Sequence, residues 1–386
     1  MKWSGLWTAA ILCSALLMPV PAVAQTDVDE LRQQFDAIID GLNDNSFERF
    51  SRAISKKDMT ARIYGVSEIE PDVRQAFSKE FDTSLQGMFT STFPKSDRDI
   101  LGTVIDFQFK GNDGRAVVRY ASSGYRYSYH AYELGLDSRG RLQLRDWVDY
   151  YNGSRFSEKA AEGLVMAMPG KAATRALLRN KTYNEGQVFQ AGELFKAVRD
   201  NQPERFFQIF DDVDKALLKE PLLLRLNLQF AMAFPQSPRA GNAVRLIVES
   251  YPNEPLYSLR LSEHYIQTGQ FAEAITTLTT LQTELGLRDG ASESLKSSAA
   301  LAMDRVEDSE KFAVAATSAE PSLEVAWWSL LRARTRAGDY SGATEAMARL
   351  EDDFGHSLDP ATLRRDRFLK VLASKSEYVD WRASRK

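Results

Sequence analysis

The sequence contains almost no cysteine and very little histidine. Its single cysteine, Cys13, lies within an apolar N-terminal run, so the remaining chain can form no disulfide, thiol nucleophile or cysteine-ligated metal site. The three histidines, His130, His264 and His356, are far apart in sequence, and none belongs to an H-E-x-x-H pair. We therefore expect no metal site and no bound cofactor.

Two common catalytic motifs are also missing. Gly163 and the pair Gly170-Lys171 superficially suggest a phosphate-binding loop. The two glycines are seven residues apart where the motif requires five, and Ala172 stands where Ser or Thr is needed. No G-x-S-x-G sequence is present for a hydrolase serine. The formal net charge of −4 argues against general affinity for nucleic acid.

The first 24 residues have the pattern of a secretory signal peptide. Lys2 precedes an apolar run from about residue 6 to residue 20, and Ala22-Val23-Ala24 supplies an A-x-A cleavage site. The run is shorter than the about 20 residues that span a bilayer, and no second run reaches that length. We expect residues 1–24 to be cleaved and the protein to reach the periplasm of a Gram-negative bacterium or to be secreted. An uncleaved N-terminal anchor is the alternative.

The second half of the chain repeats with a period of about 34 residues. Two stretches around Gly269 and Gly338 lie 69 residues apart, which is about two periods. After each glycine an aromatic residue follows two positions later, and an alanine follows three positions after that. These residues are Phe271 and Ala274 in the first stretch, and Tyr340 and Ala343 in the second. Such a period is typical of stacked two-helix units rather than of one globular core.

The pattern resembles the tetratricopeptide repeat. About five units fit one register over residues 187–357, and the clearest are those around Gly269 and Gly338. In the unit that starts at residue 290, Asp304 replaces the turn glycine. The positions expected to pack between helices include Leu194, Ala197, Phe206, Phe210, Leu224, Leu228, Ala231, Ala240, Val244, Ile247, Leu261, Leu278, Leu281, Ala300, Ala313, Ala316, Leu330, Leu331, Met347 and Leu350. Small residues at these crossings would let neighbouring helices approach closely.

The resemblance implies a binding groove lined by the first helix of each unit. Carried over position by position, the groove residues are Phe195, Arg199, Arg225, Gln229, Glu263, Gln267, Trp328, Arg332 and Arg336. They form neither a complete carboxylate clamp nor a purely apolar groove. The simpler interpretation is that they are solvated positions on helix surfaces.

Residues 26–156 have a different pattern. Helical segments come first, with Leu31, Phe35 and Ile38 on one face of the opening helix. From about residue 100 the apolar period changes to two, and three turn sequences divide the segment into four strands. The sequence therefore predicts an α+β domain, with helices and a four-stranded antiparallel sheet, followed by an all-α tetratricopeptide-like solenoid. In order and size the first domain is similar to the nuclear-transport-factor-2-like or cystatin-like superfamily.

That resemblance implies a cone-shaped sheet that can enclose a pocket. The residues that could act there as acid, base or hydrogen-bond donor are His130, Tyr132, Asp106 and Asp146. The simpler interpretation is structural, because alternating tyrosines suit strands and bury their rings. We expect no catalytic residue, and large apolar side chains filling the cone would argue against a ligand pocket.

The remaining segments complete the organisation. Residues 157–186 are expected to form a helical connector, and residues 358–386 a pair of capping helices that starts with Asp359 and Pro360. The sequence thus predicts an exported, non-enzymatic scaffold that binds a protein or peptide partner in the cell envelope, with dimerisation through the first domain as a further contact. The alternative is a small-molecule-binding protein or acid/base enzyme centred on the first domain.

Overall fold

The structure is a computed structural model that describes residues 27–66, 69–90, 101–122, 126–168, 170–179, 182–234 and 237–385. The expected signal peptide, residues 1–24, lies outside the described residues. Within the described part, no helix is both long and apolar enough to cross a membrane.

The described part of the chain opens with five helices that pack on one face of a sheet. Their bounds are α1 Val28–Asn43, α2 Glu48–Ala53, α3 Lys56–Val66, α4 Pro71–Lys79 and α5 Phe81–Thr90. Helix α1 buries Leu31, Phe35, Ile38 and Ile39, as the sequence pattern predicts. At its end, the amide of Asn43 exchanges two hydrogen bonds with the backbone of Gly102, which fixes the start of the first strand.

The sheet is an antiparallel meander in the order β1-β2-β3-β4-β5. Its strands are β1 Leu101–Lys110, β2 Asp113–Ser122, β3 Arg126–Leu136, β4 Leu142–Asp149 and β5 Ser154–Arg155. Four strands were expected, and the fifth is a two-residue strand that pairs with the end of β4. The turn between β1 and β2 uses Gly111 at φ 64°, a left-handed conformation that glycine adopts without strain.

Both faces of the sheet are buried by the rest of the chain. On β2, Ala116, Val118 and Tyr120 belong to the core shared with the N-terminal helices. Val117, between them, faces a second core that includes residues of the repeat helices. This alternation follows from the period of two along a strand. The sheet thus packs between the N-terminal helices and the repeat helices.

Two further helices lead from the sheet to the array. Helix α6 Phe156–Ala167 packs on α3 and β4, and α7 Lys171–Leu178 packs between α6 and the next helix. Both bury their apolar faces, including Phe156, Val165 and Leu177. The segment predicted as a helical connector is accordingly packed against both of its neighbours.

The C-terminal part is entirely helical and is consistent with a tetratricopeptide-like solenoid. Five consecutive helix pairs follow one another: α8 Glu185–Arg199 with α9 Pro203–Asp211, α10 Pro221–Ala231 with α11 Pro238–Ser250, α12 Ser258–Gln267 with α13 Phe271–Leu285, α14 Gly290–Ala302 with α15 Val306–Ala319, and α16 Glu324–Ala337 with α17 Tyr340–Asp352. Together with the preceding sheet they give an α+β region followed by an all-α region.

The repeat period is visible in the burial pattern and in the backbone. The packing positions named above, from Leu194 to Leu350, are buried. The large aromatic residues at other repeat positions, Tyr265, Phe271, Trp327 and Tyr340, are half-buried. The turn inside a helix pair contains a left-handed residue at Asn201, Gly269, Asp304 and Gly338, with φ between 51° and 80°. Glycine, Asn and Asp tolerate this conformation better than other residues. Asp304 therefore adopts the left-handed turn conformation at the position where the glycine is missing.

The chain ends with two short helices that close the array. Helix α18 Pro360–Arg365 starts at Asp359, whose side chain accepts a hydrogen bond from the backbone of Thr362. Helix α19 Ser376–Ser384 packs on α17. Leu363, Leu369, Leu372 and Tyr378 join the buried cluster of the last repeat pair.

Candidate partner-binding site

The protein's own sheet packs against the middle of the helix array. Arg119 on β2 is buried, and its Nη1 lies 3.2 Å from Asp289 Oδ1 and 2.5 Å from Glu320 Oε2. Asp289 caps the start of α14 and also accepts a hydrogen bond from the Tyr129 hydroxyl at 2.9 Å. Burial alone would lower the pKa of Arg119, but the hydrogen bond to Glu320 and the nearby negative charges outweigh it and raise that pKa. The strand and the array are thus joined by a cluster of one arginine and two acidic side chains.

Apolar contacts surround this cluster. On the sheet side they come from Val117, Tyr129 and Ala131, and on the array side from Leu281 and Leu285 of α13. Burial also raises the pKa of the Tyr129 hydroxyl, so this group remains protonated at neutral pH. The contact surface has an apolar core with a few paired charges, the arrangement found in stable interfaces.

The end of the sheet contacts the first helices of the second and third repeat pairs. The turn after β4 places Tyr151 under the guanidinium of Arg260, 3.5 Å from the ring centroid. A small gap of about 10 Å³ remains between this turn and the array, and it is lined in part by Arg225 and Gln229. Of these two residues of the predicted groove, Arg225 is half-buried against the protein's own chain, whereas Gln229 is exposed at the edge of the gap.

Arg225 contacts a residue of another helix of the same chain. Its guanidinium forms an ion pair with Glu162 of α6, and both side chains are largely buried. Burial would lower the pKa of Arg225, but the charge of Glu162 raises it. Glu263 is half-buried beside Arg260, with 3.5 Å between Arg260 Nη1 and Glu263 Oε2, whereas Gln267 is exposed at the end of α12.

The groove residues of the last repeat pair also have partners within the array. Arg332 pairs with Asp366 at 2.7 Å, and Arg336 pairs with Asp304 of the preceding unit at 2.8 Å. The Trp328 ring meets the ring of His356 edge to face, with 5.2 Å between centroids. These contacts link successive units to one another and to the C-terminal helices. Each of the three residues therefore takes part in a separate contact within the array.

The first repeat pair is different, because an open cleft lies beside it. The cleft has a volume of about 250 Å³ and is formed by α6, α7 and α8. Phe195 and Arg199, two residues of the predicted groove, line it. Phe189 is 64% exposed at the cleft, an unusually high value for such a large apolar side chain.

The structure brings together two of the four residues proposed for a pocket in the first domain. His130 Nδ1 lies 3.2 Å from the Tyr132 hydroxyl, which is 2.6 Å from the hydroxyl of Tyr120. Burial lowers the pKa of His130 to about 4, although the nearby charge of Asp149 acts in the opposite direction. The side chain is therefore uncharged at neutral pH.

Large side chains fill the space around this histidine. The fully buried rings are those of Phe35, Phe50, Tyr132, Trp147 and Phe156. Trp147 stacks on Phe156 with 3.9 Å between ring centroids. Because these side chains fill the space, they argue against a ligand pocket within the described part of the first domain.

The two predicted carboxylates lie elsewhere. Asp146 accepts hydrogen bonds from the hydroxyl and backbone of Ser157, at 2.7 and 3.2 Å, and so joins β4 to α6. Burial raises its pKa, and the hydrogen bonds from Ser157 act against that rise. Asp106 lies on β1, 3.9 Å from Arg115. The carboxylate beside His130 is instead Asp149, 3.7 Å from its Nε2.

Sequence reasoning missed the residues that join the sheet to the array and those that complete the cleft. The contact between Arg119 and Asp289 spans 170 residues, and no local pattern marks either partner. Asp149 could have been found from the strand register, because it lies directly opposite His130. Phe189 carried a weak signal, since it falls between the apolar positions Val188 and Ala191 of an otherwise regular helix.

Comparisons with known proteins add little. No protein-family model matches the chain, and no curated protein matches it. Among solved structures, residues 41 to the end of MamA from Desulfovibrio magneticus RS-1 are similar at 14% identity, with 45% of this chain and 97% of that chain covered. The TM-score of 0.37 is too low for this likeness to support an inference. Among the described residues, no group of three or more His, Cys, Asp or Glu is arranged to hold a metal ion.

Proposed function

We propose that this protein is an exported, non-enzymatic interaction scaffold that binds a protein or peptide partner in the cell envelope. The binding site in this proposal is the cleft formed by α6, α7 and α8, hereafter the connector cleft. Export is supported by the signal-peptide pattern of residues 1–24. The non-enzymatic role is supported by aromatic packing around His130 and by the separation of the candidate acid and base residues.

One observation carries the choice of site. Of the predicted groove residues, Phe195 and Arg199 line an open cleft, and Arg199 forms an ion pair only with the adjacent Asp200, at 3.5 Å, among the described residues. Arg225, Arg332 and Arg336 form ion pairs with acidic residues of other helices or turns. Phe189 extends the apolar lining of this cleft to the surface, and large aromatic side chains beside a cleft are frequent anchors of protein interfaces. The array thus supplies a rigid support, and the connector cleft supplies an accessible surface.

The test is site-specific photo-crosslinking in cells of the source organism. A photoreactive amino acid replaces Phe189 in the full-length protein, and a matched control replaces Phe234, which is 55% exposed on the loop after α10. We expect a discrete adduct from position 189 and none from position 234. Identical adducts from both positions, or an adduct from position 234 only, would refute the connector cleft as the binding site.

Export has a separate test. Cell fractionation and mass determination of the purified protein should find it in the envelope fraction with an N-terminus at residue 25. Recovery in the cytoplasm with Met1 retained would refute export while leaving the binding proposal intact.

A further inference from the structure

We infer that the partner segment bound by the connector cleft is an acidic peptide that inserts a large apolar side chain. This inference rests on the proposed function and specifies its ligand. The occupant follows from three properties of the cleft: its apolar floor, its cationic rim and its size.

The floor of the connector cleft is apolar and adaptable. It is formed by side chains from all three helices, with aliphatic and thioether groups predominating. These are Val165, Met166, Met168, Leu177, Val188 and Phe195. Methionine has an unbranched, polarisable side chain that fits ligand side chains of differing shape. Phe189 continues this apolar surface outward to solvent.

The rim of the connector cleft carries more positive than negative charge. Lys171, Lys196 and Arg199 line it, together with the carboxylate of Glu193. Lys171 also lies 2.9 Å from Glu185, Arg199 lies 3.5 Å from Asp200, and Glu193 lies 3.8 Å from Arg205. These pairs are exposed at the surface, where ion pairs are weak enough for a ligand carboxylate to compete with them. Lys196 and Arg199 lie in the last turn of α8, where cations face the negative end of the helix dipole and are held at the surface. A peptide with acidic residues beside its apolar side chain would pair its charges with this rim.

The size of the connector cleft favours a side chain over a whole small molecule. Its volume of about 250 Å³ falls below the roughly 300–1,000 Å³ typical of small-molecule sites. Gly192 keeps the helices close at this point, because a Cβ there would lie 3.1 Å from Thr174 Oγ1. A peptide lying across the opening can insert one large side chain and leave its backbone and acidic groups at the rim.

The experiment measures binding of labelled synthetic peptides to the full-length mature protein by fluorescence anisotropy. Three peptides of equal length are compared. One carries Glu residues around a central Phe-Leu pair, the second has Lys in place of each Glu, and the third keeps Glu but has Ser in place of Phe and Leu. We expect only the first to bind, with an affinity that falls as salt is raised, because the paired charges are near solvent.

Matched variants locate the bound peptide. Phe189→Ala and Lys196→Glu should each lower the affinity for the first peptide by about tenfold, as expected for central contacts of an interface. Phe234→Ala and Lys215→Glu, which alter exposed residues that do not line the cleft, should change the affinity less than twofold. Equal losses in the control variants would overturn the inference.

The remaining outcomes separate the inference from the proposed function. If the Lys peptide binds more tightly than the Glu peptide and Phe189→Ala abolishes this binding, the inference that the ligand is acidic is wrong. The cleft would then still be a peptide-binding site. Binding to anionic lipid vesicles that is lost in Phe189→Ala, without peptide binding, would overturn the peptide and indicate an acyl chain. Absence of all binding, with no photo-crosslink at position 189, would overturn both.

Discussion

The guanidinium of Arg119 lies 3.2 Å from the carboxylate of Asp289, so a strand of the first domain and a helix of the array share a buried ion pair. Glu320 joins them at 2.5 Å from the same nitrogen. The sheet and the array are therefore joined by buried charges as well as by apolar contacts. The connector cleft lies away from this contact, beside the first helix pair.

Loss of Arg119 should destabilise the protein strongly. Arg119→Ala leaves Asp289 and Glu320 as uncompensated charges at the sheet–array contact, and breaking one side of a buried pair costs about 3–5 kcal/mol. The control, Arg245→Ala, removes an exposed pair with Glu249 on α11 and should cost at most about 0.5 kcal/mol. Urea unfolding monitored by tryptophan fluorescence measures both free energies. Similar costs for the two variants would contradict the buried charge cluster.

Two glycines in the same backbone conformation should differ in their tolerance of alanine. Gly153 has φ 66° after β4, and a Cβ there would lie 3.0 Å from the Tyr257 ring at the start of α12. Gly269 has φ 77° but open space around it. Gly269→Ala should cost about 1–2 kcal/mol through backbone strain alone. Gly153→Ala should cost roughly 1–3 kcal/mol more by overpacking the sheet–array contact, measured as unfolding free energies. Equal costs would show that this turn does not pack on α12.

The buried histidine should make the protein sensitive to acid. The pKa of His130 is about 4 in the folded state and about 6.5 when exposed, so below pH 6.5 the unfolded chain binds a proton that the folded one does not. Stability is then lost as pH falls from about 6.5 to 4, by on the order of 3 kcal/mol. Asp149, Lys159, Tyr120 and Tyr132 are the neighbouring polar groups.

The measurement compares wild type with His130→Gln at pH 7.5 and pH 4.5 by urea unfolding. The variant should lose less stability between these two values, because carboxylates titrate in both proteins and only the histidine contribution is removed. An identical pH dependence in the two proteins would rule out a depressed pKa at His130.

The isolated array should be less stable than the array in the whole chain. A fragment of residues 182–385 exposes apolar side chains that the sheet covers, among them Leu259, Leu281 and Leu285. We expect this fragment to bind the dye ANS and to unfold at lower urea concentration than the full chain, because exposed apolar area weakens the folded state. Addition of the separate 27–179 fragment should reverse both effects. A fragment as stable as the whole chain, with no dye binding, would show that the sheet contributes nothing to the array.

Much of the fold could be predicted from the sequence because it rests on local periodicity. The period of about 34 residues identified the helix pairs, and Asp304 was recognised as the turn residue that replaces glycine. The apolar period of two after about residue 100 likewise predicted the strands of the meander. The tetratricopeptide resemblance itself rests on these repeats, since the structural likeness found is too weak to support it.

The candidate site could be predicted less well from the sequence. The family pattern assigned groove positions to every unit alike, but those positions have different surroundings here. Arg225 pairs with Glu162 of the connector, and Arg336 pairs with Asp304 of the preceding unit, whereas Arg199 lies at the connector cleft. A position in a repeat specifies which way a side chain faces, and it does not specify what the rest of the chain places in front of it.

The sequence by itself determined the helix pairs, the strands and their turns, because these follow from period, turn residues and caps within short stretches of chain. Only the tertiary structure decided that the sheet packs on the array and that an open cleft remains beside the first repeat. The contact from Arg119 to Glu320 spans 201 residues, and its energy comes from desolvation and charge pairing between surfaces that meet only after both have folded. Such a contact leaves no periodic trace in the sequence.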